Sequence, residues 1–128
     1  MAKKWDVSAV TDLVARIYDQ IQEREPDENG QLYWSGFLTS GELSVKQVIH
    51  YITESDEYKG RFITGLPIDQ AVEKSYEHFL GRKANEADIN HYVEVAKKNG
   101  MPTVIAALMG SQEYQQNFGE DGVPPKVQ

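Results

Sequence analysis

Apolar residues recur along this chain at helical spacing. Val10, Leu13, Val14, Ile17 and Ile21 fall at i, i+3, i+4, i+7 and i+11, one stripe on one face. The stripe predicts a helix that begins near Asp6 or Ser8 and stops before Pro26, because the residue ahead of a proline avoids the α region. Asp27 is a suitable N-cap for a second helix carrying Tyr33, Trp34, Phe37 and Leu38, with Gly41 just past its end. Ser44 with Gln47 three residues on reads as a capping box that opens a third helix through Val48, Ile49 and Ile52. Ser55 caps a short fourth helix through Tyr58 and Phe62.

The rhythm then restarts. A fifth helix begins near Pro67, carries Ile68, Val72, Tyr76, Phe79 and Leu80, and stops at Gly81. Asn85 caps a sixth, with Ile89, Tyr92, Val93 and Ala96 expected to face inward and Gly100 at its end. Pro102 suits the first turn of a seventh through Val104, Ile105, Leu108 and Met109. Ser111 caps an eighth ending near Phe118. No long alternating run of β-branched residues interrupts this series, so strand signals are nearly absent.

The two series are related residue by residue. At a spacing of 56, Val48-Ile49 returns as Val104-Ile105, Ser55 as Ser111, Glu57-Tyr58 as Glu113-Tyr114 and Phe62 as Phe118. Upstream the spacing is 58, pairing Tyr18 with Tyr76, Arg24 with Arg82 and Trp34 with Tyr92. The register shifts fall in loops, which tolerate insertions. The expected fold is therefore all-α: a single domain over 1–128, of seven or eight helices, built from two similar units packed on one core. The repeats run over about 8–62 and 67–118, and 119–128 form a tail.

Composition narrows what such a fold can do. With 13 Lys and Arg against 20 Asp and Glu the formal charge is −7, and the pI is about 4.9. That disfavours a nucleic-acid binder, whose footprint is a basic patch, and a peripheral anchor on anionic lipid. There is no cysteine, which excludes disulfides, thiolate metal sites and cysteine nucleophiles. Lys3 and Lys4 are not followed by an apolar run, and no stretch approaches the ~20 apolar residues needed to span a bilayer. A cytoplasmic protein is expected.

Candidate chemistry is sparse. His50, His78 and His91 have no second histidine at i+3 or i+4, so each reads as a surface or packing residue. Asp27-Glu28-Asn29-Gly30 resembles part of a calcium loop, but position twelve of that register is Gly36 and position two is Pro26, so a helix cap is the better reading. No nucleophile elbow, P-loop or dinucleotide fingerprint occurs. The chain reads as non-catalytic, with no cofactor and no metal. Among the aromatics, Trp34 and Phe37 are expected in the core. Tyr33 and Tyr51 stay open between core and interface, where tyrosine is favoured. Arg24 and Arg82 each follow a helix end. Each is expected to pair with one of the repeated glutamates, Glu57 and Glu113, within its own unit or across the pair.

Several segments resemble one family. Gly41-Glu42-Leu43-Ser44-Val45-Lys46 followed by Ser55-Asp56-Glu57-Tyr58-Lys59-Gly60-Arg61-Phe62 resembles the first half of the phycobilisome linker polypeptide domain. Tyr76-Glu77-His78-Phe79-Leu80-Gly81-Arg82 resembles its central helix-end signature, and the run from Ser111 to Pro124 is very similar to its close. The likeness covers about residues 15 to 124. Leu80-Gly81-Arg82, Tyr33-Trp34 and the two Ser-x-Glu-Tyr copies also resemble a helical repeat domain of unknown function from bacterial secreted and glycan-handling proteins. The linker resemblance implies an all-α, non-catalytic protein-binding scaffold. Its partners would be phycobiliprotein rings, which carry the bilins themselves. It would organise light-harvesting antenna assembly in photosynthesis, at the cytoplasmic face of thylakoids. The second resemblance implies an interaction module in an envelope or glycan pathway. Nucleic acid and membrane insertion are not expected, and self-association is left open. If binding is the function, Tyr51, Lys59, Arg61, Glu120 and Asp121 are the candidate contacts, because they are neither caps nor stripe residues and lie near the repeat ends and the tail.

Overall fold

Six helices start on a side chain that accepts a backbone N–H three residues on. The acceptors are Asp6 (from Ala9, 2.9 Å), Asp27 (from Gly30, 2.7 Å), Ser44 (from Gln47, 3.1 Å), Ser55 (from Tyr58, 3.1 Å), Asn85 (from Asp88, 2.8 Å) and Ser111 (from Tyr114, 3.1 Å). Each satisfies a donor that the first helical turn leaves unpaired, a contribution of about 1 kcal/mol. Two caps are reciprocal: Gln47 accepts back from the Ser44 amide at 2.8 Å, and Asp88 from the Asn85 amide at 3.3 Å.

The computed structural model describes residues 5–127; the Lys3-Lys4 pair lies outside them. In chain order the helices are α1 (Val7–Ile21), α2 (Glu28–Ser40), α3 (Val45–Thr53), α4 (Asp56–Tyr58), α5 (Ile68–Leu80), α6 (Glu86–Asn99), α7 (Met101–Met109) and α8 (Gln112–Asn117). The described residues contain no strand, so the fold is all-α. A π-helical turn, Lys59–Ile63, continues α4, and its wider pitch shows in the Thr64 amide reaching Lys59 O at 2.8 Å.

Two compact units result. The first comprises the chain up to Thr53 with Phe118–Val123; the second comprises Glu54–Asn117 with the residues from Pro124 onward. These units divide the chain at Thr53, not in the loop between the sequence repeats. In the first, α1 lies against α2 and α3. The stripe Val10, Leu13, Val14, Ile17 and Ile21 is buried, as are Leu38, Val45, Val48 and Ile49. Each such side chain contributes roughly 1.5–3 kcal/mol by leaving water. In the second unit α5 is central and touches α6, α7, α8 and the π turn. Val72, Phe79, Val104, Leu108 and Tyr114 are buried there.

α1 stops before Pro26 as expected, at Ile21, whereas the placing of Trp34 and Phe37 in the core is corrected. Gln22 closes the last turn onto Tyr18 O at 2.8 Å, and Glu23 turns to φ 55, a conformation that cannot continue a right-handed helix. Trp34 and Phe37 are half-buried, and Leu38 is the buried side chain of α2. In α6 only Ala96 is buried, while Ile89, Tyr92 and Val93 are half-covered.

Candidate functional site

The outer side of α2 and the end of α3 bring four aromatic rings together in the first unit. Tyr33 meets Trp34 edge-on with ring centroids 4.8 Å apart and Phe37 at 5.1 Å. Tyr51 lies stacked against Trp34 at 6.4 Å. Trp34 is held from beneath, its Nε1–H donating to the Tyr18 hydroxyl at 3.2 Å. Trp34 is therefore fixed by packing and by a buried partner, and the rings of Tyr33 and Tyr51 lie against it. Above this base the surface is open. Tyr33 is 59% exposed, Tyr51 53% and the neighbouring Leu32 66%. From Asn29 to Gly41 no residue is charged. A β-carbon at Gly36 would meet nothing within 4 Å, so the α2 backbone itself is bare there.

Tyr51 thus joins this aromatic face. Lys59 and Arg61 lie on the π turn of the second unit, both exposed. Arg61 pairs with Glu57 at 3.2 Å and lies over the Phe62 ring at 4.7 Å. Glu120 is engaged within the first unit. Its Oε1 accepts from Ser44 Oγ at 2.9 Å, its carbonyl accepts from the Lys46 amide at 2.9 Å, and Lys46 Nζ lies 3.9 Å from Oε2. Segment Phe118–Val123 is in this way seated on the N-terminus of α3. Asp121 beside it is half-buried with Oδ1 enclosed. The sequence pattern missed Leu32, Tyr33 and Gly36 as one face; the absence of charge on an exposed helix was the signal available.

The repeated arginines sit in similar cages. Arg82 lies over the Tyr76 ring at 5.0 Å, and Arg24 over the Tyr18 ring at 5.1 Å. Arg82 donates to Glu113 through Nε (2.7 Å) and Nη2 (3.0 Å), and through Nη1 to Asp88 (3.4 Å). Arg24 donates from Nη1 to Glu25 O at 2.8 Å. The two-point bond from Arg82 holds the Glu113 carboxyl below its ordinary value of 4.5, and Glu113 in turn raises the guanidinium. Burial, then the Asp88 charge, pushes the Tyr76 phenol upward. Because the folded state lowers the Glu113 pKa, its contribution is complete above the ordinary value and is lost as pH falls through the lowered one. Arg82 shifts upward, so its contribution is present throughout the range below its ordinary value. The expected result is that Glu113→Gln costs about 1 kcal/mol at pH 7, given solvent screening of this half-exposed pair. The difference from wild type should shrink in urea titrations repeated near pH 3.

No group of three or more His, Asp or Glu among the described residues could hold a metal. No helix there is long and apolar enough to cross a membrane. A dent of about 280 Å³ in the second unit is lined by Glu73, Glu77, Lys83 and Ala84. It brings neither a histidine nor a hydroxyl nucleophile to the carboxylates. His78 is instead buried in a packing role, with Nδ1 2.8 Å from the Tyr58 hydroxyl, while His50 and His91 are exposed.

The described residues are all-helical and carry an uncharged aromatic face on α2 and α3. Comparison with known proteins supplies the class. The family model for the Phycobilisome Linker polypeptide matches residues 5–126. The phycobiliprotein ApcE of Nostoc sp. is 36% identical over 124 residues, covering 93% of this chain and 11% of that protein. ApcE of Cyanophora paradoxa is 32% identical over 117 residues, 88% of this chain and 13% of that protein. The phycocyanin-associated 37.5 kDa rod linker polypeptide of Microchaete diplosiphon is 32% identical over 88 residues, 68% of this chain and 33% of that protein. The chain belongs to the phycobilisome linker polypeptide family. It spans between 11% and 33% of the length of these relatives.

Proposed function

We infer that this protein is a non-catalytic scaffold that binds phycobiliprotein rings and organises their assembly into the light-harvesting antenna. The observation that carries this reading is the match of a linker model across residues 5–126, with relatives named both as phycobiliprotein ApcE and as phycocyanin-associated rod linkers. The geometry supports it. The aromatic face of α2 and Tyr51 offers area without a reaction centre, and tyrosine and tryptophan are enriched where proteins meet. The exposed Lys59 adds a cationic point on the second unit. The protein acts in the cytoplasm, at the thylakoid face, through the antenna.

The test is direct. Purified phycobiliprotein rings are mixed with the chain at low ionic strength and sedimented through a sucrose gradient, and the bilin absorbance of each fraction is recorded. Co-migration with a shifted bilin band is expected. Rings and chain migrating apart at low salt, where charge attraction is least screened, would remove the reading.

A further inference from the structure

We propose that the face built by Leu32, Tyr33, Gly36 and Tyr51 is a docking site for one apolar helix of a partner protein whose flanks are basic. The assignment rests on the scaffold reading in taking the occupant to be a protein. Three observations support it.

The first is a comparison between helices at the same place in the sequence repeat. At the spacing that pairs Trp34 with Tyr92, Leu32 corresponds to Asn90, Tyr33 to His91, Gly36 to Glu94 and Ser40 to Lys98. All eight positions are exposed. α6 therefore turns an ordinary solvated face outward, with Lys97 even pairing to Glu94 at 3.7 Å. α2 turns outward leucine, tyrosine and bare glycine. Each helix buries a single side chain, Leu38 or Ala96, so both are held at comparable depth and only the outward chemistry differs. A soluble helix gains nothing from such a face unless something covers it.

The second is shape. Leu32 and Tyr33 form a ridge, and Gly36, one turn on, leaves a gap that reaches the helix backbone. A ridge followed by a gap is the surface that accepts the ridge of another helix. Tyr51 reaches this helix from α3, its ring stacked on Trp34, the residue beside Tyr33.

The third is charge. Among the described residues the unit bearing the face holds Arg16, Arg24 and Lys46 against ten Asp and Glu, a formal −7. The other unit holds eight cations against ten carboxylates, −2. Lys46 is engaged by Glu120, and Arg24 by Tyr18 and the Glu25 carbonyl. Asp27 and Glu28 precede the face and Glu42 follows it. An uncharged centre inside an acidic unit selects a partner with lysine or arginine flanking its apolar ridge, and rejects a second copy of this chain through like-charge repulsion.

The probe is a labelled amphipathic helical peptide with one leucine–alanine face flanked by lysines, and the same peptide with glutamates in place of lysines. Anisotropy should show the lysine peptide binding, more weakly as salt rises, and the glutamate peptide not binding. The triple variant Leu32→Asn/Tyr33→His/Gly36→Glu gives α2 the outer residues of α6 and so preserves a solvated helix. Tyr51→Gln alters the same face from α3. Circular dichroism confirms that both fold. Each should weaken lysine-peptide binding at least about tenfold, the loss expected when an anchoring interface residue is removed. Equal binding of the two peptides, absence of binding, or undiminished binding by both variants would overturn the assignment. So would a wild-type dimer in sedimentation that the triple variant abolishes. A wild-type chain that binds the lysine peptide but migrates apart from phycobiliprotein rings upholds the docking site and removes the ring-scaffold reading, which separates the two failures.

Discussion

Tyr58→Ala should cost more stability than any surface change in this protein, and should leave the chain at the edge of folding. Tyr58 is 1% exposed and its ring packs on Phe62 at 5.1 Å, His78 at 5.6 Å and Phe79 at 6.1 Å. Truncating a buried aromatic ring to alanine removes about 3–5 kcal/mol. Its hydroxyl also meets His78 Nδ1 at 2.8 Å, and His78 is 2% exposed. Withdrawing that partner from a buried nitrogen adds about 1–3 kcal/mol. Domains of this kind are stable by about 5–15 kcal/mol in all, so the sum is a large fraction of what exists. Tyr58→Phe separates the parts: it keeps the ring and removes the hydroxyl, with an expected cost of about 1–3 kcal/mol in urea denaturation. Tyr58→Phe combined with His78→Leu should cost less than the two single changes added together, because the second change removes the group that the first strands. A strictly additive double variant would show that the hydroxyl and the imidazole are not coupled.

That cluster also marks where sequence reading works and where it stops. Helix starts were legible because a cap is local: Asp6, Asp27, Ser44, Ser55, Asn85 and Ser111 each act on an amide three residues away. The stripe on α1 was legible because its period is 3.6 and its length is fifteen residues. The π turn at Lys59–Ile63 was not, because nothing in Lys-Gly-Arg-Phe-Ile distinguishes i→i+5 from i→i+4 bonding; in the folded chain Tyr58 lies against Phe79 and Phe62 against His78, both on α5. Periodicity reports which side of a helix is apolar and says nothing of whether that side is covered, which is why Trp34 and Phe37 read as core and yet are half-buried. The seat of Glu120 on Ser44 joins residues 76 apart in sequence, a distance over which no local pattern carries information. The bidentate bond from Arg82 to Glu113 spans 31 residues, and only repetition of arginine and glutamate in both halves drew attention to it.

Candidate contacts divide along the same line. Tyr51 stood out as a tyrosine with no stripe to belong to, and it is exposed on the aromatic face. Glu120 stood out for the same formal reason, yet its carboxylate holds the start of α3. A residue that breaks a pattern can do so because it faces a partner or because it faces a distant part of its own chain. Only the three-dimensional arrangement separates the two.

The second large effect is expected at Gly81, in the Leu80-Gly81-Arg82 segment. Gly81 ends α5 in the left-handed region, at φ 66 and ψ 26, with its amide on Glu77 O at 3.2 Å. An L-residue there costs about 1–2 kcal/mol. A β-carbon would also stand 2.5 Å from Pro125 Cδ and 2.9 Å from Cγ, where the proline ring packs on the helix end. Forcing extra volume into a close contact adds about 1–3 kcal/mol. Gly81→Ala is therefore expected to lose roughly 2–5 kcal/mol. Two companions divide that loss. Gly81→Asn tolerates the left-handed backbone but keeps the β-carbon, so it retains mainly the steric part. Gly81→Ala with Pro125→Gly removes the ring and retains mainly the backbone part. The turn at Gly81 also aims the next residue, Arg82, at Glu113, so a shifted turn should loosen that pair. The low-pH loss of stability attributed to Glu113 should then be smaller in Gly81→Ala than in wild type. If Gly81→Ala unfolds at the wild-type urea concentration, the left-handed turn and the proline contact are not what fix the end of α5.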